Sequence, residues 1–393
     1  MTVRPLFRFE ISGSELRRAA GWLEKLAIGR VQAGAEHLSG VLLRADLAAM
    51  QVSFSATDLQ MYGVSLADTK VHESGQAVVS ANLLWQIAKT CKTDEVLTFE
   101  QTASYVDVSA GSASWRLPRI TDDYWQPWTM RGEMLAEVET VEFARACTRV
   151  KPAVDKEVIK PFWGGLALGI SPARVTVCAT DGFRVALAHV PAQTFVDDAE
   201  LWVPESCVAR SLAGAQTGAT LAINRTPEHT TDEGAIFSGP GFRARSRLLT
   251  EYALWRKTET LIAQTGHSRV VLDVKEALGA IARIGFLVQE GAPLRMEIGD
   301  EDVTFSVAEE DNVKGSGASA CSADVSEIHH ESVVFRAGYL DDLLKGVDAP
   351  TAEIVFGPKP FNPVVAYPLD VEGNRVGDYL HMVKPINLSL RKR

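Results

Sequence analysis

An alternation of apolar and polar residues predicts a β-hairpin near the middle of the chain. Between positions 175 and 180, valine and alanine alternate with threonine and cysteine, which is the two-residue period of a pleated strand. Asp181-Gly182 then favours a turn, because aspartate caps a turn with its side chain and glycine adopts a positive φ without steric cost. A second apolar run follows at 183–190, so the pattern predicts two antiparallel strands joined at Asp181.

The same pattern stands in the first third of the chain. A strand-like run at 52–57 leads to Asp58, and a second run follows at 61–67. Gly40 and Gly165, which open the preceding strand-like runs, are 125 positions apart, and the two aspartates are 123 positions apart. Self-similarity at a long and nearly fixed period indicates a repeated structural unit.

Amphipathic helix patterns repeat together with the strands. The first helix of each copy is predicted at 14–28, 141–150 and 274–287, and the second at 80–91, 204–213 and 337–347. Strand-like runs at 294–298, 303–308 and 352–356 complete a weaker third copy. The sequence therefore predicts an α+β fold of three tandem copies, 1–132, 133–265 and 266–393, each of ordinary domain size.

Basic side chains recur on the predicted helices, whereas acidic residues collect in loops, as in the run 300–302. Any single helix carries basic residues on its wet face, whereas the same sign on equivalent helices of every copy adds weight to an anion-binding face, and the charges alone leave both interpretations open. In the first two copies these residues are Arg17, Arg18, Lys25, Lys89, Arg145, Arg149 and Lys151, with Lys160 in a basic and aromatic loop. In the third copy they are Lys275, Arg283, Arg336 and Lys345.

The composition is that of a globular protein: 46% hydrophobic and 23% charged residues in 393 positions are enough for two or three cores. The net charge of −10 argues against a surface that grips nucleic acid everywhere, but it permits a locally basic face. The five scattered cysteines form no CxxC pair, which predicts reduced thiols and a cytoplasmic protein. The first nine residues lack a signal-peptide core, and no run approaches the ~20 apolar residues of a membrane span.

No catalytic motif emerges from the sequence. GxxxxGK[ST] and GxGxxG phosphate loops, a GxSxG elbow and an HExxH helix are all absent. His329 and His330 are adjacent, and neighbouring strand residues point to opposite faces, so they cannot easily share a metal. Asp58 and Asp181 are open to two interpretations, paired carboxylates of an enzyme or side-chain caps of two equivalent turns, of which the second is favoured. We therefore predict no catalytic residue, no metal and no cofactor.

The hairpin motif resembles a known signature. Residues 179–186 read Ala-Thr-Asp-Gly-Phe-Arg-Val-Ala, which is similar to Ala-Thr-Asp-Gly-His-Arg-Leu-Ala of the bacterial sliding clamps, the β subunits of DNA polymerase III. Residues 56–59 are similar to the first-domain equivalent, and 115–118 with 122–124 resemble the strand before an Asp-Asp-Phe-Pro turn. Residues 382–388 resemble the Val-Val-Met-Pro-Met-Arg-Leu end of the family. Order and spacing agree over essentially the whole chain.

The resemblance implies a processivity factor without a catalytic site. Three clamp domains per chain, with helices inside and antiparallel sheets outside, would form a head-to-tail homodimeric ring around duplex DNA. The ring would tether the DNA polymerase III alpha subunit, the clamp loader and other proteins with clamp-binding motifs. The basic residues of the first two copies would face DNA without reading its sequence. Ring closure would use Trp115 and Leu117 against Phe286 and Leu287.

The resemblance also implies a hydrophobic pocket for short peptide motifs of partner proteins. By position its residues are Trp163, Thr180, Gly182, Phe183, Arg184, Val185, Arg256, Met382, Lys384, Pro385, Ile386 and Leu388. Phe183 replaces the usual His, Lys384 replaces a Met and Asn387 replaces a common Arg. Because Lys384 places a charge where an apolar wall is expected, an alternative with the same fold is a specialised, resistance or decoy clamp with altered partners.

Overall fold

The computed structural model describes residues 7–121, 125–155, 164–227, 233–249, 268–288, 293–308, 315–328 and 331–387. Its helices are α1 (Gly13–Leu23), α2 (Ala81–Thr90), α3 (Thr140–Val150), α4 (Glu205–Gly214), α5 (Val274–Gly285) and α6 (Ala337–Val347). These bounds confirm the two predicted helices of each copy. The first helix ends before position 28 because the N–H groups of Lys25 and Leu26 bond to carbonyls three residues earlier, which tightens the last turn.

Strands fill most of the remaining described sequence. The first copy has β1 (Arg8–Ser12), β2 (Gly40–Asp46), β3 (Gln51–Thr57), β4 (Met61–Asp68), β5 (Lys70–Glu73), β6 (Gly75–Ser80), β7 (Val96–Gln101), β8 (Tyr105–Ala110) and β9 (Ala113–Pro118). The second has β10 (Glu133–Glu139), β11 (Gly165–Ser171), β12 (Arg174–Thr180), β13 (Arg184–Thr194), β14 (Ala199–Pro204), β15 (Thr220–Arg225), β16 (Gly234–Gly239) and β17 (Phe242–Arg247). The third has β18 (Ser268–Asp273), β19 (Pro293–Ile298), β20 (Asp302–Val307), β21 (Gly317–Ser326), β22 (Ser332–Arg336), β23 (Thr351–Phe356), β24 (Val364–Leu369) and β25 (Tyr379–Val383).

Each copy repeats one antiparallel pairing scheme. One group runs β1-β7-β8-β9, β10-β15-β16-β17 and β18-β23-β24-β25 in the successive copies. The other runs β6-β2-β3-β4, β14-β11-β12-β13 and β22-β19-β20-β21. A helix follows the first strand named in each group. The α+β class with a repeated helix-and-sheet unit is thereby confirmed, and the residue boundaries of the three copies stay a prediction.

The chain divides into two compact units, which we call the N-terminal unit (Met1–Val141 with Ser206–Leu248) and the C-terminal unit (Glu142–Glu205 with Leu249–Arg393). The division falls inside the predicted second copy because sheets continue from one copy into the next. In the N-terminal unit β4 of the first copy pairs with β17 of the second. In the C-terminal unit β13 of the second copy pairs with β25 of the third.

The two aspartate hairpins have the same hydrogen bonds. Asp58 Oδ1 accepts from the backbone N–H groups two and three residues later, at 2.9 and 2.7 Å. Asp181 Oδ1 does the same at 2.9 and 3.0 Å. The residue after each aspartate lies in the left-handed region, with Leu59 at φ 71° and Gly182 at φ 85°. Both aspartates are therefore turn caps, which confirms the structural interpretation of these residues.

Buried aromatic rings fill the cores of both units. In the N-terminal unit the rings of Phe9 and Phe99, on paired strands β1 and β7, stack with centroids 4.7 Å apart. In the C-terminal unit Phe305 and Phe335 are fully buried in the cluster that α5 and α6 cover. Burying each such ring stabilises the fold by roughly 2 kcal/mol.

All five cysteines are free thiols, as their spacing predicts, and all five are buried. Burial raises the pKa of Cys321 to about 11, so this thiol is uncharged at neutral pH. In the part of the chain that the structure describes, no helix combines the length and the apolar character needed to cross a membrane.

His381 on β25 is a fully buried titratable group. Burial lowers its pKa to about 3, and the positive charge of Arg184 acts in the same direction. Its Nδ1 lies 3.3 Å from the Tyr379 hydroxyl oxygen, and the two rings meet edge to face. The imidazole is therefore neutral in the folded protein at neutral pH.

We expect His381 to make the C-terminal unit acid-sensitive. An unfolded histidine binds its proton near pH 6.5, whereas the folded one resists protonation down to about pH 3, so stability is lost as the pH falls below 6.5. Between pH 7 and pH 5.5 the free energy of unfolding should fall by about 1 kcal/mol through this group. Denaturant unfolding of wild type and of the His381→Gln variant at both pH values measures the difference. Equal pH dependence in the two proteins would contradict the assignment.

Candidate functional site

Two of the predicted DNA-facing lysines are exposed on helices of the N-terminal unit. Lys25 lies just beyond α1, and Lys89 lies in the last turn of α2. The Lys89 ammonium stands 5.6 Å from the centre of the Trp85 ring, which keeps its alkyl stem against the helix. Neither lysine forms an ion pair with another described residue. Both charges are available to an anionic partner.

Arg17 and Arg18 on α1 make internal contacts instead. Arg17 donates to the Thr93 hydroxyl at 3.0 Å and also to backbone carbonyls at the end of α2. Arg18 forms an ion pair with Glu15 at 2.6 Å and donates to the Leu66 carbonyl at 2.5 Å. Their positive charges are partly neutralised or directed at carbonyl groups. Sequence periodicity placed both residues on the helix surface but gave no signal of these partners.

Two of the predicted DNA-facing cations in the C-terminal unit have acidic partners. Arg145 Nε donates to Asp348 at 2.7 Å, and this bond raises the pKa of the guanidinium. Lys151 lies 2.8 Å from a carboxylate oxygen of Glu205. Lys160 lies outside the described residues. The helix face of this unit therefore carries less net positive charge than the sequence indicates.

Arg149 occupies an interior position, with 6% of its side chain exposed. It donates to the carbonyls of Gly346 and Val347 at 2.9 and 2.8 Å and forms an ion pair with Asp378 at 2.7 Å. Its guanidinium carbon lies 4.1 Å from the centre of the Tyr379 ring. The predicted DNA contact of Arg149 is not supported, because its charge is satisfied inside the protein.

The N-terminal unit has an equivalent interior residue, Trp22. Trp22 is the tenth residue of α1, as Arg149 is the tenth residue of α3. Its indole N–H donates to the Ser65 hydroxyl at 2.8 Å, and its ring meets Phe242 edge to face. A Cβ added at Gly214 would lie 2.9 Å from the indole, which leaves no room for a side chain there. Aligning the two copies, rather than reading each helix alone, would have marked Arg149 as interior.

We call these the first and second repeat interfaces. The first comprises Trp22, Gly214 and Phe242 in the N-terminal unit, and the second comprises Arg149, Gly346 and Tyr379 in the C-terminal unit. Gly214 and Gly346 are the tenth residues of α4 and α6, and Phe242 and Tyr379 are the first residues of β17 and β25. The second helix and last strand of one copy therefore dock in the same way on the first helix of the preceding copy.

An ion pair accompanies each repeat interface, with opposite polarity. In the first, the hairpin residue Asp58 binds Arg210 of α4 at 2.5 Å. In the second, the hairpin residue Arg184 binds Asp342 of α6 at 2.7 Å. Arg210 and Asp342 are each the sixth residue of their helix. The helix position of the ion pair is kept while its charges are exchanged, and on the hairpin Arg184 lies three residues after Asp181, the equivalent of Asp58.

The C-terminal unit contains a pocket of about 400 Å³ beside the second repeat interface. Its walls come from the Asp181 hairpin, the start of α6 and the segment after β25: Phe183, Arg336, Tyr339, Phe361, Lys384, Pro385, Ile386 and Asn387. Phe183, Lys384, Pro385 and Ile386 were predicted for the peptide pocket. Arg336, Tyr339 and Phe361 were missed, because they lie far from the motif in sequence and only the docking of the third copy brings them to it.

The remaining predicted pocket residues support the walls or lie outside the described ranges. Thr180, Arg184, Val185 and Met382 are buried behind the pocket, and Gly182 forms the turn before Phe183. Trp163, Arg256 and Leu388 are not among the described residues.

Backbone and cation–π contacts fix the pocket walls. The Lys384 N–H donates to the Phe183 carbonyl at 2.9 Å, and the Ile386 N–H donates to the Val334 carbonyl at 2.7 Å. Arg184 lies with its guanidinium carbon 4.1 Å from the Tyr339 ring centre. Desolvation of the Tyr339 hydroxyl raises its pKa, so the ring remains a neutral wall. The pocket is thus pre-formed on the hairpin and the helix.

The residues predicted for ring closure differ in exposure. Phe286, just after α5, is 73% exposed, and Leu287 is half-buried. On β9, Trp115 is half-buried and Leu117 is buried in its own core. β9 lies at the edge of its sheet and pairs with β8 alone among the described strands. The prediction therefore places one exposed aromatic residue on the third copy and one open strand edge on the first.

Comparisons with known proteins agree with this fold. No protein-family model matches the chain. The beta sliding clamp of Streptomyces coelicolor is 23% identical over 400 residues, covering 97% of this chain and 100% of the relative. The beta sliding clamp homolog GriR of Streptomyces muensis is 22% identical over 360 residues, covering 89% of this chain and 91% of the relative. The structure of the DNA polymerase III subunit beta from Pseudomonas aeruginosa superposes with a TM-score of 0.84 at 18% identity, covering 97% of this chain and 100% of the other. The structure of the DNA polymerase III beta subunit from Thermotoga maritima superposes with a TM-score of 0.83 at 19% identity, covering 97% of this chain and 99% of the other.

We expect the two arginines of α3 to behave differently when replaced. Arg149→Met should lower the free energy of unfolding by about 2–4 kcal/mol, because two buried carbonyls and Asp378 lose their partner. The same substitution at exposed Arg145 should change it by less than about 1 kcal/mol. Denaturant unfolding of the two variants measures both values. Equal stability losses would show that Arg149 is not an interior anchor.

Proposed function

We propose that this chain, which is a divergent homologue of the bacterial beta sliding clamps, acts as a DNA sliding clamp. It encircles duplex DNA as a ring, holds DNA polymerase and other replication or repair proteins through a peptide pocket, and has no catalytic site of its own. The observation that carries the proposal is the repeat interface, which occurs twice within the chain. The first and third copies each have one half of such an interface without a counterpart among the described residues.

The strand edges support a ring of two chains. In the first two copies, the fourth strand of the second sheet group pairs with the last strand of the following copy. Thus β4 pairs with β17, and β13 pairs with β25. By the same rule β21 of the third copy requires the last strand of a first copy, which is β9. A second copy of the chain supplies that strand, and the head-to-tail arrangement is heterologous and closes after two chains.

The exposure of the equivalent residues also supports this arrangement. The tenth residue of α5 is Arg283, the tenth of α2 is Thr90, and the first of β9 is Ala113. All three are exposed in the single chain. By contrast, Trp22 and Arg149, the equivalents of Arg283, are buried, and so are Phe242 and Tyr379, the equivalents of Ala113. We infer that Arg283, together with Phe286 and Trp115, lies in the contact between two chains.

The helix charges fit a clamp that slides. A closed ring remains on DNA because it encloses the duplex. Strong contacts to the phosphates are therefore not needed and would slow its sliding. Lys25 and Lys89, which have no acidic partner among the described residues, offer their charge to the phosphates, while Arg145 and Lys151 are held near acids at 2.7 and 2.8 Å. The backbone attraction is thus weak and independent of sequence.

A specialised clamp with altered partners is the second candidate, and the pocket is the observation that favours it. Lys384 and Phe183 change the chemistry of the peptide site, and one relative carries the name beta sliding clamp homolog GriR. Ring and DNA binding are common to both candidates. An enzyme that uses the two aspartates is disfavoured, because Asp58 and Asp181 cap separate turns.

We expect a single charge on β9 to control dimer formation. Wild type should have a mass near twice 42.7 kDa by light scattering. Ala113→Arg should raise the dimer dissociation constant about tenfold or more, because it faces Arg283 of the partner, and adding Arg283→Glu should reverse the effect. Ser112→Arg, on the neighbouring exposed residue, is the control. A monomeric wild type, or equal effects at 112 and 113, would refute the proposed interface.

The DNA face can be tested by salt dependence. Lys25→Gln with Lys89→Gln should shorten retention on closed circular DNA and reduce the logarithmic salt slope by roughly 2–4, since the ring loses two lysines from each of its two chains. Lys70→Gln, at an exposed lysine on β5 paired with Glu10, should leave both unchanged. Identical salt slopes for the double variant and wild type would remove these lysines from the DNA face.

A further inference from the structure

The pocket of the C-terminal unit carries positive charge without a matching acid. Of its lining residues, Arg336 and Lys384 are cationic, and none is acidic. Both side chains are exposed, and neither forms an ion pair with another residue in the described ranges. Lys359 adds a cation at the rim, 5.9 Å from the centre of the Phe361 ring. The pocket therefore attracts carboxylates.

Two carboxylates beside the pocket wall are already bound by an interior arginine. Arg184, with 6% of its side chain exposed, lies 2.9 Å from Asp181 and 2.7 Å from Asp342. Asp181 also caps its own turn through the other carboxylate oxygen. These acids are held behind the pocket by partners of their own, so among the described residues no acid compensates the charges of Arg336 and Lys384.

Arg336 is positioned by two aromatic rings. Its guanidinium carbon lies 5.3 Å from the centre of the Phe183 ring and 5.5 Å from that of Tyr339. A guanidinium that contacts rings still presents N–H donors along its edge, in the fork geometry that suits a carboxylate. The arginine is thus pre-organised at the wall, and little entropy is lost when it binds an anion.

The same walls provide an apolar anchor site. Phe183 is 51% exposed and Phe361 is 43% exposed, so both aromatic rings of the pocket are accessible to a ligand. Pro385 and Ile386 complete the apolar surface between them. A ligand that fills this pocket must therefore combine an apolar side chain with negative charge.

We propose that this pocket selects acidic peptide segments of partner proteins, in which an aromatic or long aliphatic residue stands beside one or more Asp or Glu residues. The apolar side chain packs on Phe183 and Phe361, and the carboxylates pair with Arg336 and Lys384. The inference rests on the proposed function, because it takes the pocket to be a peptide site.

The charge of the whole protein sharpens this selection. With a net charge of −10, the surface as a whole repels an acidic peptide, whereas the pocket attracts it. Neutral apolar peptides lose this local attraction, and basic peptides meet Arg336 and Lys384 as like charges. Charge complementarity at this pocket therefore favours partners with acidic segments over proteins with neutral or basic clamp-binding sequences.

The experiment selects peptides from a phage-displayed library of random nine-residue sequences on the full-length protein. Wild type, Phe183→Ala, Lys384→Met and Lys275→Met are compared; the last replaces an exposed lysine of α5 outside the pocket and serves as the matched control. We expect wild type and Lys275→Met to enrich apolar peptides rich in Asp and Glu. Phe183→Ala should enrich none of these, and Lys384→Met should enrich apolar peptides with fewer acids.

A titration of one enriched peptide measures how strongly the pocket prefers an acidic peptide to a neutral one. The peptide is amidated at its C-terminus and compared by fluorescence anisotropy with its Asp→Asn and Glu→Gln isostere. We expect the acidic peptide to bind wild type about tenfold more tightly, which corresponds to about 1.4 kcal/mol, and the two to bind Lys384→Met with less than about threefold difference. Raising the salt concentration should reduce the difference between the affinities of the two peptides for wild type.

The outcomes separate this inference from the proposed function. Enrichment that depends on Phe183 but shows no excess of acids would overturn the acidic selectivity and leave the peptide pocket in place. Absence of any enrichment that depends on Phe183 would overturn both. A preference for acids that persists in Lys384→Met and also in Arg336→Gln would place the recognition of carboxylates elsewhere and overturn the inference.

Discussion

The pairing of one copy's fourth strand with the next copy's last strand is the constraint on which the rest of this structure depends. The register is the same in both places: Ser65 lies opposite Phe242 in the N-terminal unit, and Ala188 lies opposite Tyr379 in the C-terminal unit. Because side chains alternate across a strand, a slip of one residue would turn Phe242 or Tyr379 to the other face. The register thus decides which aromatic ring meets the first helix of the preceding copy.

The two repeat interfaces keep this geometry with different chemistry. The first closes around an indole, and the second closes around a guanidinium whose donors reach Gly346, Val347 and Asp378. A buried arginine is tolerable because its N–H groups find carbonyl and carboxylate acceptors. The exchanged ion pair has a further consequence. With arginine on the hairpin, Arg184 lies beneath Tyr339 and supports the pocket wall.

The candidate site was therefore predictable in part. Four of the pocket walls follow from the hairpin motif and the terminal segment, since each is a continuous stretch of sequence. Arg336, Tyr339 and Phe361 could not be found in this way, because α6 and the loop before β24 reach Phe183 only through the docking of the third copy. The helix cations are a second case. Periodicity put Arg18 and Arg149 among the basic helix residues but carried no information on Glu15, Asp378 or the carbonyls that bind them.

The repeat, the α+β class, the two aspartate turns and the reduced thiols were all predictable from the sequence alone. These features depend on local periodicity and turn chemistry, which are written in neighbouring residues. Tertiary structure alone decided which charges are exposed, which are neutralised and which residues share a wall. Such facts depend on contacts between residues far apart in the chain, as between Arg149 and Asp378. A charge pattern along a helix gives the sign of a side chain, but packing decides whether that charge reaches solvent.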